Sequence, residues 1–168
     1  MTAALRLAAM TLAVSGGLAG CMSLSRSEPV AALSPEVARG AYVDQMSVLS
    51  AAKGLSPEFE AVFRARVGEK LRGCATGTRP LRLEARIDRL DKADPVATAV
   101  IGGANVLRGS ARLVDVQTGE VVGDYRIGST VIGGRLAVFR MAEAEEQMSD
   151  RFGEELCKQA FGESGGKD

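Results

Sequence analysis

From Leu81 to Arg89 the chain alternates without a break. Leu81, Leu83, Ala85 and Ile87 are apolar, and Arg82, Glu84, Arg86 and Asp88 between them are charged. A period of two predicts a β-strand with one buried and one wet face. Upstream, Phe59, Val62, Phe63, Val67, Leu71 and Cys74 recur at spacings of three and four, which is one face of a helix. Ser56 is placed to cap it, Pro57 suits its first turn, and Glu58 complements its dipole. Gly73, Gly77 and Pro80 close it. Tyr42–Leu49 reads as a strand before that helix. Residues 96–116 hold a second apolar stretch broken by Gly102, Gly103 and Gly109, strand-like at its Ala111–Val116 end. Gln117–Glu120 is a turn, and Val121–Val131 returns as the partner strand of a hairpin. From Arg135 to Ala160 there is no Pro and one Gly, Gly153. Val138, Met141, Met148, Phe152 and Leu156 form an apolar stripe there, predicting a long amphipathic helix.

The element order is therefore β-α-β-β-β-α. A right-handed crossover makes the first two strands parallel, and the later strands follow by hairpins. Both helices need one sheet face to bury their stripes. The expected fold is α+β, a two-layer sandwich whose mixed sheet carries two helices on one face. Tracing chain direction through this order brings both helices to an end at the same sheet edge. Cys74 closes the first helix and Cys157 lies near the end of the second, so the two are candidates for a disulfide. The alternatives are two buried thiols, or ends too far apart to bridge.

The N-terminus has a different character. Arg6 is followed by the apolar run Leu7–Val14 and by Ser15-Gly16-Gly17. The run is too short to span a bilayer and has the size of a signal-peptide core. Leu18-Ala19-Gly20-Cys21 then resembles the bacterial lipobox, in which the Cys thiol receives diacylglycerol and becomes the first mature residue. Residues 1–20 are thus expected to be a signal peptide. Residues 21–39, rich in Ser, Pro and Ala, are expected to be a flexible tether from acylated Cys21. The domain is expected over 40–162 and a frayed tail over 163–168. Met22 is not the Asp that retains enterobacterial lipoproteins in the inner membrane. The resemblance therefore implies a periplasm-facing outer-membrane anchor.

Composition narrows the chemistry. The 168 residues carry 21 basic and 21 acidic side chains and no His, with 4% aromatic residues. Balanced charge gives no basic footprint for nucleic acid. Without His there is no Ser-His-Asp or Cys-His arrangement and no His-ligated metal site. The Val-Ile-Gly-Gly sequences at 100–103 and 131–134 match no phosphate-loop spacing. Asp88, Asp91 and Asp94 lack the order of a calcium loop. Neither a cofactor nor a metal is expected.

The lipobox LAGC, the helix pattern F-x₂-VF-x₃-V-x₃-L followed by LRLEARI, and the hairpin RLVDVQTGEVV are similar to a group of small Gram-negative lipoproteins with a C-terminal α+β domain. In that group a D-x-x-T-G-E turn joins two strands, and Asp115–Glu120 match it. The layout is also similar to auxiliary lipoproteins of ABC transporters and to the lipopolysaccharide-assembly lipoprotein. The resemblance implies a non-enzymatic accessory protein, held to the membrane by acyl chains and binding another envelope component. Arg82, Glu84, Arg86 and Asp88 on the wet strand face are its candidate partner-binding residues. The alternative is a carrier or enzyme handling an envelope lipid or glycan. The lipobox makes a direct prediction. The intact mature protein should have the mass of residues 21–168 plus acyl chains, and Cys21→Ala should release it from the membrane fraction.

Overall fold

A computed structural model describes residues 22–134 and 143–162. The expected signal peptide at 1–20, the expected acyl acceptor Cys21, the stretch holding Val138 and Met141, and the expected tail at 163–168 lie outside the described residues. The elements are β1 (Met22–Ser25), β2 (Glu28–Ala31), α1 (Pro35–Gly40), β3 (Ala41–Ser50), α2 (Phe59–Cys74), β4 (Arg79–Asp91), α3 (Pro95–Ile101), β5 (Gly103–Asp115), β6 (Val121–Gly133) and α4 (Ala144–Leu156). A π-helical turn, Cys157–Phe161, follows α4.

The fold is α+β with a mixed sheet. β3 and β4 are parallel across the α2 crossover, and β4, β5 and β6 are successively antiparallel. The sheet order is β1-β6-β5-β4-β3, with β2 also paired to β6. Leu81, Leu83, Ala85 and Ile87 are buried as their alternation requires. They meet Phe59, Phe63, Val67 and Leu71 of α2 and Met148, Phe152 and Leu156 of α4 in one core. The Phe63 and Phe152 rings meet edge to face with centroids 4.9 Å apart. Gly153 lets the helices approach, since a Cβ there would lie 2.8 Å from the Lys70 Cβ.

The structure corrects the sequence reading in four places. First, residues 22–39 are not a free tether. β1 and β2 pair antiparallel with β6, Leu33 is buried, and Ser34 caps α1 by accepting from the Val37 amide at 3.3 Å. The unsatisfied edge of β6 supplies the reason, because a strand laid along it completes its ladder. Second, 95–101 is a helix and 103–115 one continuous strand. Asp94 accepts from the Ala97 amide at 2.8 Å and Pro95 opens the turn, which overrides the strand preference of Val96, Thr98, Val100 and Ile101. Gly102, at φ +86°, ends it. Third, Ser56 does not cap α2. The helix starts at Phe59 after a turn through Pro57 and Glu58, and the Ser56 hydroxyl donates to Glu145 at 2.6 Å instead. Fourth, the last helix is not α-helical to its end, since its described part is α4 and the chain widens into the π-helical turn at Cys157.

Both helices run away from the end of the sheet where β4 and β6 finish, and their C-termini meet. Cys74 and Cys157 are bonded there, with Cα atoms 5.8 Å apart and a sequence separation of 83. A loop of that length corresponds to about 4–5 kcal/mol of denatured-state entropy before any strain. The paired variant Cys74→Ser/Cys157→Ser should lose a few kcal/mol in urea unfolding relative to wild type. Equal midpoints and slopes for the two would show that the bond contributes nothing to stability.

Candidate partner-binding face

The helices cover one sheet face, so the residues between the buried ones on β4, β5 and β6 form the other. Arg82 and Glu84 meet at 3.2 Å and Arg86 and Asp88 at 2.7 Å, so the four predicted residues pair two by two along β4. The strand register extends them into rows across the sheet. Ser47, Glu84, Arg112 and Asp124 occupy successive paired positions on β3, β4, β5 and β6. Arg112 lies 4.0 Å from Glu84 and 3.9 Å from Asp124, bridging both. The next row runs Leu49, Arg86, Ser110, Arg126 and Glu28, closed by a 3.0 Å contact between Arg126 and Glu28.

Four arginines thus interleave with four carboxylates. An open groove of about 360 Å³ crosses this face between β3 and β6, lined by Ser47, Leu49, Glu84, Arg86, Arg112 and Asp124. Leu49 is 61% exposed, an apolar side chain inside a charged field. Arg112, Asp124, Arg126 and Glu28 were not among the predicted site residues. The alternation of Arg112 with Leu113 carried a signal, but only register places it beside Glu84.

At Asp88 the β4–β5 ladder slips by one residue between Ile87 and Arg89. This bulge turns Asp88 and Arg89 outward together and returns Leu90 to the core. Gly109 faces it, and a Cβ there would lie 2.3 Å from the Arg86 carbonyl oxygen. Asp91 pairs with Arg89, and Asp94 caps α3. The three aspartates near this turn therefore serve three separate partners. Among the described residues no group of His, Cys, Asp and Glu is arranged to hold a metal ion.

Two other features frame the face. β3 is the edge strand on the side away from β1 and β2, and the Arg64 guanidinium from α2 donates to its Met46 carbonyl. A second groove of about 270 Å³ follows this edge between β3 and α2. At the far end of the sheet the buried Asp115 organises the β5–β6 turn. Its carboxylate accepts from the Gln117 and Thr118 amides at 2.8 and 2.9 Å and from Arg79 at 2.6 Å. Gly119, at φ +73°, completes the turn. The Thr118 amide, then the Arg79 guanidinium, hold the Asp115 carboxyl below the usual carboxylate range.

No family model and no curated protein matches the chain. Among solved structures it is similar to the PelC dodecamer of Paraburkholderia phytofirmans, at 19% identity over 83% of this chain and 99% of that one, with a TM-score of 0.49. A candidate lipoprotein of Caulobacter crescentus CB15 is similar at 13% identity over 64% of this chain and 84% of that one, with a TM-score of 0.41. Protein XCC0632 of Xanthomonas campestris is similar at 14% identity over 78% of this chain and 95% of that one, with a TM-score of 0.42. These are likenesses of chain layout at low identity, and they transfer no residue role.

A carboxyl whose folded-state pKa is lowered by hydrogen bonds contributes stability above the unfolded value, near 3.8 for this Asp, and that contribution vanishes as pH falls through the folded value. Asp115→Asn should therefore be less stable than wild type by a constant margin at neutral and mildly acidic pH. The margin should shrink below about pH 4 in urea titrations at each pH. A margin that stayed constant into strong acid would show that the charge of Asp115 is irrelevant.

Proposed function

We propose that this protein is a lipid-anchored periplasmic accessory protein that binds another envelope component through the polar face of its sheet and performs no chemistry there. The row-by-row ladder of Arg82, Arg86, Arg112 and Arg126 with Glu28, Glu84, Asp88 and Asp124 carries this reading. It leaves one broad sheet face without a covering layer among the described residues. Its signs are mixed, which suits a protein surface with the complementary pattern and not a polyanion. The pairing along β4 holds the long arginine side chains in place before a partner arrives, which reduces the ordering lost on binding.

The anchor belongs to the same reading. Cys21 precedes β1 directly, and Met22 after it favours the outer membrane. Acyl chains at that position would confine the face to the membrane surface and raise its effective concentration toward any neighbour held there.

Charge reversal tests the face. Arg82→Glu/Arg86→Glu should reduce crosslinking to the envelope partner in intact cells by roughly tenfold, because like charges across an interface are strongly unfavourable. Thermal stability should change by less than about 1 kcal/mol, since both side chains are at the surface. Undiminished crosslinking in the doubly reversed chain would place the interface elsewhere. Turnover of an envelope lipid or glycan by the purified protein would replace the reading with catalysis.

A further inference from the structure

Helix α3 is out of place in water. Its sequence, Pro95-Val-Ala-Thr-Ala-Val-Ile101, carries no charge, and Thr98 is its one buried residue. Val96 is 76% exposed, Val100 60% and Ile101 82%. A helix that is apolar all round is ordinarily buried, and an exposed apolar patch marks a contact surface. Nothing within the described chain covers it.

The register shows what lies beside it. α3 leads into β5 at Gly103, which pairs with Gly133, and the neighbouring Ala104 pairs with Ile132. Ile132 pairs in turn with Met22, the first residue of β1. Cys21, the acyl acceptor, therefore precedes a residue fixed at the same end of the sheet as α3. Met22, Leu24 and Ile132 are themselves 59%, 46% and 39% exposed. The surrounding sequence is uncharged in three separate stretches, at 22–25, 95–107 and 127–134. The charged groups beside α3 are already engaged. Arg89 pairs with Asp91, Lys92 with Glu145 at 3.0 Å, and Asp94 caps the helix itself.

We propose that α3 is a second membrane contact, lying in the leaflet that holds the acyl chains of Cys21. This rests on the lipid-anchor reading and adds an orientation to it. Because β1 is locked onto β6, no flexible segment separates the anchor from the domain, and the end bearing Val96, Val100 and Ile101 is drawn onto the bilayer surface. Apolar side chains then enter the interfacial region, as in helices that lie on membranes. The sheet stands upright, and the Cys74–Cys157 end with the Asp115 turn points away from the lipid.

The test uses the full chain purified from membranes and reconstituted into vesicles of phosphatidylethanolamine and phosphatidylglycerol. Val100→Cys and Gln117→Cys each add one free thiol for an environment-sensitive fluorophore, since Cys74 and Cys157 are bonded and Cys21 is acylated. Position 117 lies in the β5–β6 turn at the opposite end. The expected result is a blue shift at position 100, with strong quenching by lipids carrying a nitroxide on the acyl chain, and neither effect at 117. An acylated protein whose two labels are equally wet overturns this proposal and leaves the anchor standing. A mass without acyl chains overturns both. In the unacylated Cys21→Ala chain, shielding of position 100 that needs no vesicles and rises with protein concentration assigns the face to a second copy and also overturns the proposal.

Discussion

From Leu81 to Ile87 every second residue of β4 is buried, and that single constraint organises the rest. Burying Leu81, Leu83, Ala85 and Ile87 under two helices obliges Arg82, Glu84 and Arg86 to lie on the opposite side. Neighbouring strands must match the pleat, so β5 and β6 divide their residues in the same way. Core and polar face are two consequences of one alternation. A slip of register at Leu83 would exchange them, which is why both are tightly specified. The bulge at Asp88 is where this strictness is relaxed, and it lets Leu90 rejoin the core after two outward residues.

Periodicity and chain direction together made the central fold legible. The crossover through α2, the hairpin of β5 and β6, and the meeting of Cys74 with Cys157 all follow from where each element must start and stop. What stayed hidden depended on partners distant in sequence. The strands at 22–25 and 28–31 are four residues each and exposed throughout, so they have no buried period to read. They exist because β6 offers a template. Helix α3 was obscured for the opposite reason, since its β-branched residues favour strands while a local cap and a proline decide the outcome. On the candidate face, Arg82 to Asp88 could be read from one strand. Arg112, Asp124 and Glu28 required the register of three more.

The two ends of the sheet differ in kind. The end holding Asp115, α1 and the cystine is fastened by a covalent bond and by a carboxylate that satisfies two backbone amides and an arginine. At the other end, Glu145 ties the start of α4 to the loop before α2. Burial works against its charge, but hydrogen bonds from Ser56 and Lys92 outweigh that and hold its carboxyl below the ordinary value. Stabilising polar contacts are thus present at both ends, while the uncovered apolar side chains of α3 and β1 gather at one.

The pairing of the first described residues with the last strand also dictates an order of events. Ser27 and Gly128 exchange hydrogen bonds across 101 positions of sequence, and Leu33 donates to the Tyr125 hydroxyl across 92. A chain emerging N-terminus first presents β1 and β2 long before β6 exists. They cannot be placed until the hairpin behind them has formed. Closing such long loops is entropically slow. Until then β6 has an open edge, available to any extended strand nearby. Of the described strands, the two that are made first can be placed only after the one made last, and the edge they cover is an open pairing template until then.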